Sequence, residues 1–327
     1  MRERLRKPWP DHRAERMLGA VSLLFAVFVL AMIVFVAVRA VPIFHYDGLS
    51  WLTGSGNLEN QVSTMTNASV GARPSTYALS AWPIIYGTVI TSVIAVAVGL
   101  VIAILASVYI VELAPERLRR VTVPVVRLLA SVPSVIYGLI GVLVLVPFFN
   151  EHLITTGQQE SVDNVVQLTG GGLGVASLIL TIMITPIMIA LICEALITVP
   201  VSWKEGAVAL GLNPLRAIRS VHLRAIRPAI VAAAVLASAR AVGEAIMISM
   251  VSGGKFFSPK PIDGLVFFYE PLRTLASTIV DFHEGLASPP LRASLYAFAL
   301  LLLFAALFFS VAGYLIKLPL RRYQTRG

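Results

Sequence analysis

Two ionisable residues interrupt an otherwise apolar stretch in the second half of the chain, Arg240 and Glu244 within Ala239-Arg240-Ala241-Val242-Gly243-Glu244. A guanidinium stays charged at every physiological pH and offers a planar fork of N–H donors that matches two oxygens of one anion. Four residues apart on a helix, the two side chains share a face, so the spacing predicts an i, i+4 contact. Counted from Pro228, Arg240 lies about 18 Å along such a helix, which is near the middle of a bilayer if the stretch spans one. An arginine at that depth costs about 2.5–3.5 kcal/mol and must face a polar cavity or a partner. The pair therefore reads either as a self-neutralising structural ion pair or as an anion site in a path across a membrane, with non-covalent chemistry in both cases.

The composition supplies the membrane. Of 327 residues, 57% are hydrophobic and only 13% charged, with a mean hydropathy of +0.84. A soluble domain carries about 25% charged residues, so this chain is expected to be an all-α, polytopic membrane protein. Six stretches are long and apolar enough to span: Leu18 to Val38, Pro83 to Val111, Val125 to Phe149, Leu173 to Cys193, Pro228 to Val251 and Ala293 to Ile316. The first follows Arg2, Arg4, Arg6 and Lys7 as a signal peptide would, but it is too long for one and no A-x-A site follows it, so it reads as a retained helix.

Charge sets the orientation. With both termini cytoplasmic, the inner segments hold 18 Lys and Arg and the outer ones 6, the bias that retains loops inside. The net charge of +9 is thereby explained without nucleic acid. The lone Cys193 excludes an intrachain disulfide, and His45, His152, His222 and His283 show no metal-ligand spacing. The chain divides into a cytoplasmic tail (1–17), a first helix with a long outer loop (18–82), a core (83–316) and a basic cytoplasmic tail (317–327). A second long outer loop, Ser252 to Arg292, carries Lys255, Lys260 and apolar patches.

Between the fourth and fifth spans, the cytoplasmic segment 201–224 is the most informative. Ser202 and Glu205 have the spacing of a capping box that opens a helix. Gly211 suits the left-handed position that ends it, and Asn213-Pro214 supplies an N-cap and first-turn proline for a second helix. Ala207, Leu210, Ile218 and Val221 fall on apolar faces, Arg216 and Arg219 on polar ones. Two short helices outside the bilayer would present a compact knob to another protein.

Glu205, Ala207, Gly211, Val221 and Leu223 resemble the EAA loop of ABC-importer permeases, with Gly206 in place of the second alanine and Arg224 in place of the final proline. Leu129 to Leu139, which contains Pro133, Ser134, Tyr137 and Gly138, is similar to the phosphate importer permeases of PstC type. So are Ala239 to Glu244 with Gly243, Thr274 to Ser277, and Val41 to Phe44 followed by Gly48 to Ser50. The resemblance implies a type I ABC-importer permease fold in a bacterial cytoplasmic membrane. It also implies ATPase coupling through the EAA-like loop and a pathway at Arg240 and Glu244, with Pro133, Ser134, Tyr137, Gly138 and Gly243 packing and lining it. Implied partners are a second permease chain, two ATP-binding subunits and an extracytoplasmic phosphate-binding protein, with inorganic phosphate as substrate. In that reading Glu244 occupies Arg240 in the empty state and yields it to phosphate.

No G-x-x-x-x-G-K-[ST] occurs, so the chain is expected to be non-catalytic and to bind no cofactor, with ATP and Mg on the partner ATPase. Two competing readings stand beside this one: a permease for sulfate or molybdate, and an ion-coupled secondary transporter. The second would need no EAA-like loop, and inverted repeats are not visible.

Overall fold

The computed structural model describes residues 12–54, 57–68, 74–162 and 166–324. It is all helical among those residues. Helix α1 (His12–Tyr46) is followed by α2 (Trp82–Leu113), α3 (Glu116–Ala130), α4 (Ser134–Leu153) and α5 (Leu173–Ile197). Then come α6 (Val201–Ala209), α7 (Pro214–Ala225), α8 (Arg227–Val242), α9 (Ile246–Val251), α10 (Leu275–Asp281) and α11 (Pro289–Gln324). Five helices have the length and composition to cross a membrane, α1, α2, α4, α5 and α11, and a bent pair, α7 with α8, brings the number up to six.

The middle of the bundle is α5, which packs along α2 and against α3 and α8. Gly99 lets α2 approach it so closely that an added Cβ would stand 2.8 Å from Met188 Cε. Helix α1 leans on α11 at the edge and leaves its long apolar flank exposed, as a lipid-facing helix should.

A second buried cluster lies beneath the first outer loop, where Trp51 stacks on Phe298 at 5.5 Å and packs with Ile43 and Met65. Burial of these side chains shows that this loop packs against the N-terminal half of α11.

Four expectations need correction. The third stretch is two elements: α3 stops at Ala130 and α4 starts at Ser134. Pro133 has no N–H and disfavours helical geometry at Val132 before it, so the chain turns there. The fifth stretch also breaks, with Gly243, Glu244 and Ala245 between α8 and α9. The anticipated capping box is absent: α6 opens at Val201 with Pro200 at the cap and no side-chain cap bond. Finally, α1 begins before Leu18 and α11 runs past Ile316 to Gln324, so both tails are partly helical; residues 1–11 and 325–327 lie outside the described residues.

Candidate functional site

Helix α8 carries Arg240 two residues before its end, and the side chain is exposed on the flank of this chain, its Nη2 4.0 Å from Met183 Sδ on α5. Glu244 is buried, 7% exposed, in the break that follows. The last turn tightens, with Gly243 N–H donating to Ala239 O and Glu244 N–H donating to Ala241 O at 3.2 Å. This three-residue closure takes Glu244 off the face that the i, i+4 spacing assumed. Its Oε1 instead accepts from Met247 N–H at 3.4 Å on the first turn of α9. Among the described residues, no ion pair joins Arg240 to Glu244. The guanidinium is left facing outward.

The two motifs bracketing the breaks meet in space. Gly138 of α4 lies against α9, where an added Cβ would stand 2.8 Å from Met250 Sδ and 3.1 Å from Met247 Cα. Tyr137, buried beside it, donates its hydroxyl to Leu129 O at 3.1 Å and so ties α4 back across the break to α3. Pro133 occupies the cap position of α4 with Ser134 half-buried after it. The Pro133 to Gly138 segment thus packs against α9, the helix that follows the Arg240 to Glu244 segment. Arg127 lies on α3 rather than in a span and bonds Glu194 at 2.9 Å.

In the loop 252–292, Thr274 and Ser277 form a reciprocal capping box that opens α10, a short helix whose first turn is buried. Leu275 N–H donates to Thr88 Oγ1 of α2 at 2.8 Å. At the other end of α10, Asp281 accepts from Ser249 of α9 and from Arg273, whose guanidinium lies 4.9 Å from the Phe256 ring and 5.0 Å from that of Phe282. Composition did not point to this cluster, because its members are scattered through one loop. Lys255 pairs with Glu59 at 3.5 Å, and Lys260 N–H donates to Glu270 Oε2 at 2.9 Å. Burial raises the Glu270 carboxyl above its usual range; the Lys260 N–H works against that and nearby Asp263 adds to it.

The loop 201–224 has the helix, turn and helix expected of it. Gly211 adopts φ +77°, and Gly211 N–H to Val208 O (2.9 Å) with Leu212 N–H to Ala207 O (3.1 Å) makes a Schellman end. Asn213 Oδ1 accepts from Leu215 N–H at 3.1 Å to cap α7. Ala207, Ala217 and Ile218 are buried, and Val221 and Leu223 half-buried. Leu210, assigned to an apolar inner face, is 85% exposed because it occupies the C-cap where the chain reverses. With Trp203, Val208 and Leu215 it forms an exposed apolar surface, beside which Glu205 is also exposed. Beneath the loop, His222 Nδ1 lies 2.7 Å from Glu112 Oε1, a contact the sequence reading missed. The available signal was Glu112 itself, an acid at the very end of a span.

The family model for the binding-protein-dependent transport system inner membrane component matches residues 99–321. Among similar proteins, the phosphate transport system permease protein PstC 1 of Mycobacterium bovis is 32% identical over 252 residues, which is 75% of this chain and 72% of that one. A probable phosphate transport system permease protein PstC of Methanocaldococcus jannaschii is 30% identical over 70% of this chain and 72% of its own. Among solved structures, an inward-facing MetNI methionine ABC transporter superposes with a TM-score of 0.51 at 19% identity, over 72% of this chain and 95% of that one, a likeness of fold.

Proposed function

The chain belongs to the binding-protein-dependent transport system inner membrane components, and from that premise we propose that it is the phosphate-conducting permease subunit of an ATP-driven importer. It is a multi-pass protein of the bacterial inner membrane. The reading has both termini on the cytoplasmic side, as the distribution of Lys and Arg favours.

The observation that carries the substrate assignment is the outward-facing guanidinium of Arg240, beside a break that keeps Glu244 from neutralising it. Similarity to phosphate transport permeases over about three-quarters of the chain supports the same anion. A membrane-embedded arginine with no carboxylate partner among the described residues needs a compensating surface, which a second permease chain would provide by closing the pathway over α8. Phosphate passing between the two chains would offer the fork two oxygens at once. Glu244, one turn outward, would oppose a trapped dianion and so favour release.

The loop 201–224 would seat in a separate ATPase, two copies of which serve the pair of permease chains and carry the ATP and Mg. Ala207, Gly211, Val221 and Leu223 would hold its shape, and Glu205 with the exposed apolar residues would supply its surface. An extracytoplasmic phosphate-binding protein would deliver the anion to the outer loops. Pro133, Ser134, Tyr137, Gly138 and Gly243 keep the joint around the path closely packed.

The test is ATP-dependent uptake of labelled phosphate by vesicles holding this chain with its co-purifying partners, wild type against Arg240→Ala, with sulfate as competitor. Losing a charged bidentate contact should cut uptake at least about tenfold with assembly intact and no competition from sulfate. Uptake that persists without ATP would remove the importer assignment, and uptake indifferent to the substitution would reduce Arg240 to a structural residue.

A further inference from the structure

We infer that the His222–Glu112 contact is the strut through which the cytoplasmic loop drives α2, and so is a positioning pair for transport; this rests on the importer reading above. Nδ1 and Oε1 are 2.7 Å apart, and the two side chains are only 4% and 5% exposed. Each partner lies in a π turn, Ile218–His222 on α7 and Tyr109–Leu113 at the end of α2. The extra residue in such a turn re-aims the side chains around it, a feature concentrated at functional positions.

Three connections leave the loop. Two are covalent, through Pro200 back into α5 and through Ile226 into α8, where the helix axes bend by 64°. The third is the strut. It grips α2, whose one proline, Pro83, sits at its start, so the helix has no proline kink along its length. From Glu112 to Thr88 is about 36 Å of continuous helix. At Thr88 the same helix is hydrogen-bonded to the first residue of α10. A displacement applied at His222 is therefore carried along one helix to α10, a path that neither covalent link supplies.

Chemistry argues for the pair as a device of position rather than of stability. Buried ion pairs are often replaced by apolar residues of equal volume without loss of stability. Here the imidazole also keeps Nε2 buried without a hydrogen-bond partner, a burden that an aliphatic residue would not carry. What a short polar contact supplies, and an apolar one does not, is a fixed separation that resists both compression and sliding.

The experiment uses the complete complex with its phosphate-binding protein in proteoliposomes, reading phosphate transported per ATP hydrolysed and the distance between spin labels at Leu113→Cys and Arg224→Cys. In the otherwise unaltered complex, that distance should hold to within about 2 Å between nucleotide-free and ATP-trapped states. His222→Leu and Glu112→Leu should each let the distance vary with nucleotide and lower phosphate per ATP about tenfold, and His222→Gln, which keeps a donor, should recover most of it. The double His222→Leu/Glu112→Leu variant should stay as poor as either single. A label distance that changes with nucleotide in the unaltered complex would overturn the strut even if the leucine variants fail to assemble. A leucine variant with the unaltered ratio would overturn it too. Absence of any ATP-dependent uptake in the unaltered complex would remove the importer reading itself, and the inference with it.

Discussion

Gly87 of α2 makes the tightest backbone approach between a spanning helix and the outer loop. A Cβ placed there would stand 2.2 Å from the carbonyl oxygen of Arg273 and 3.3 Å from Leu272 Cδ1. Because ordinary contacts begin at 3.4 Å, Gly87→Ala forces the segment leading into α10 to retreat by about 1 Å, and the obstacle is backbone that cannot rotate aside. Overpacking of this kind costs about 1–3 kcal/mol. The neighbouring Leu275 to Thr88 bond, stretched by the same shift, adds about 1 kcal/mol. Alanine returns about 1 kcal/mol through its better helix propensity. The net is a loss of about 1–3 kcal/mol, which for a domain of this size lowers the unfolding midpoint by about 2–10 °C.

The assay is thermal unfolding of the purified chain in lipid nanodiscs, followed by tryptophan fluorescence. The matched control is Gly206→Ala on α6, where an added Cβ meets nothing within 4 Å, so the midpoint should hold or rise. A Gly87→Ala midpoint within about 1 °C of wild type would show that the outer loop yields without cost and would refute the close-packing account.

Gly211→Ala places a side chain at φ +77° in open space, so the cost is backbone strain of about 1–2 kcal/mol; hydrogen exchange across 206–213 should accelerate, and Gly211→Asn should do less harm. Glu270 tests the outer loop by pH. Burial raises its carboxyl in the folded state, so the folded chain holds a proton that the unfolded chain has released. Stability should therefore fall as pH rises from the ordinary glutamate value through the raised one. Glu270→Gln, which still accepts from Lys260 N–H, should flatten that part of the melting-midpoint profile, and an unchanged slope would sink the assignment.

Much of this architecture was legible because its causes are local. Apolar runs long enough to span report themselves through composition, and each expected stretch holds a helix. The turn at Gly211 and the cap at Asn213 depend on neighbours within five residues, and both appear as the residue types required. Ser202 and Glu205 have the right local spacing too, yet the helix already begins at Val201, so Pro200 takes the cap two residues before Ser202. Spacing alone does not choose between two starts this close together.

Averages over apolar stretches hide the two breaks. Val125 to Phe149 and Pro228 to Val251 stay apolar on both sides of the interruption, so hydropathy registers one span where the backbone turns. Pro133 was a visible signal, and its effect on Val132 places the first break. Gly243 was weaker: it has ordinary helical φ and no close neighbour that demands a glycine. That break takes Glu244 away from Arg240, so a periodic-helix argument produced a pair that the tertiary structure dissolves.

The amino-acid sequence by itself determined a helical membrane protein, the approximate placing of its spans and the form of the loop 201–224. These follow from hydration, charge and turn chemistry, which act within a few residues. Only the tertiary structure decided that Gly138 meets Met247, that α10 bonds to α2, and that His222 closes on Glu112 across 110 residues of chain. Such contacts depend on how helices pack, and packing is settled by the shapes of surfaces far apart in sequence.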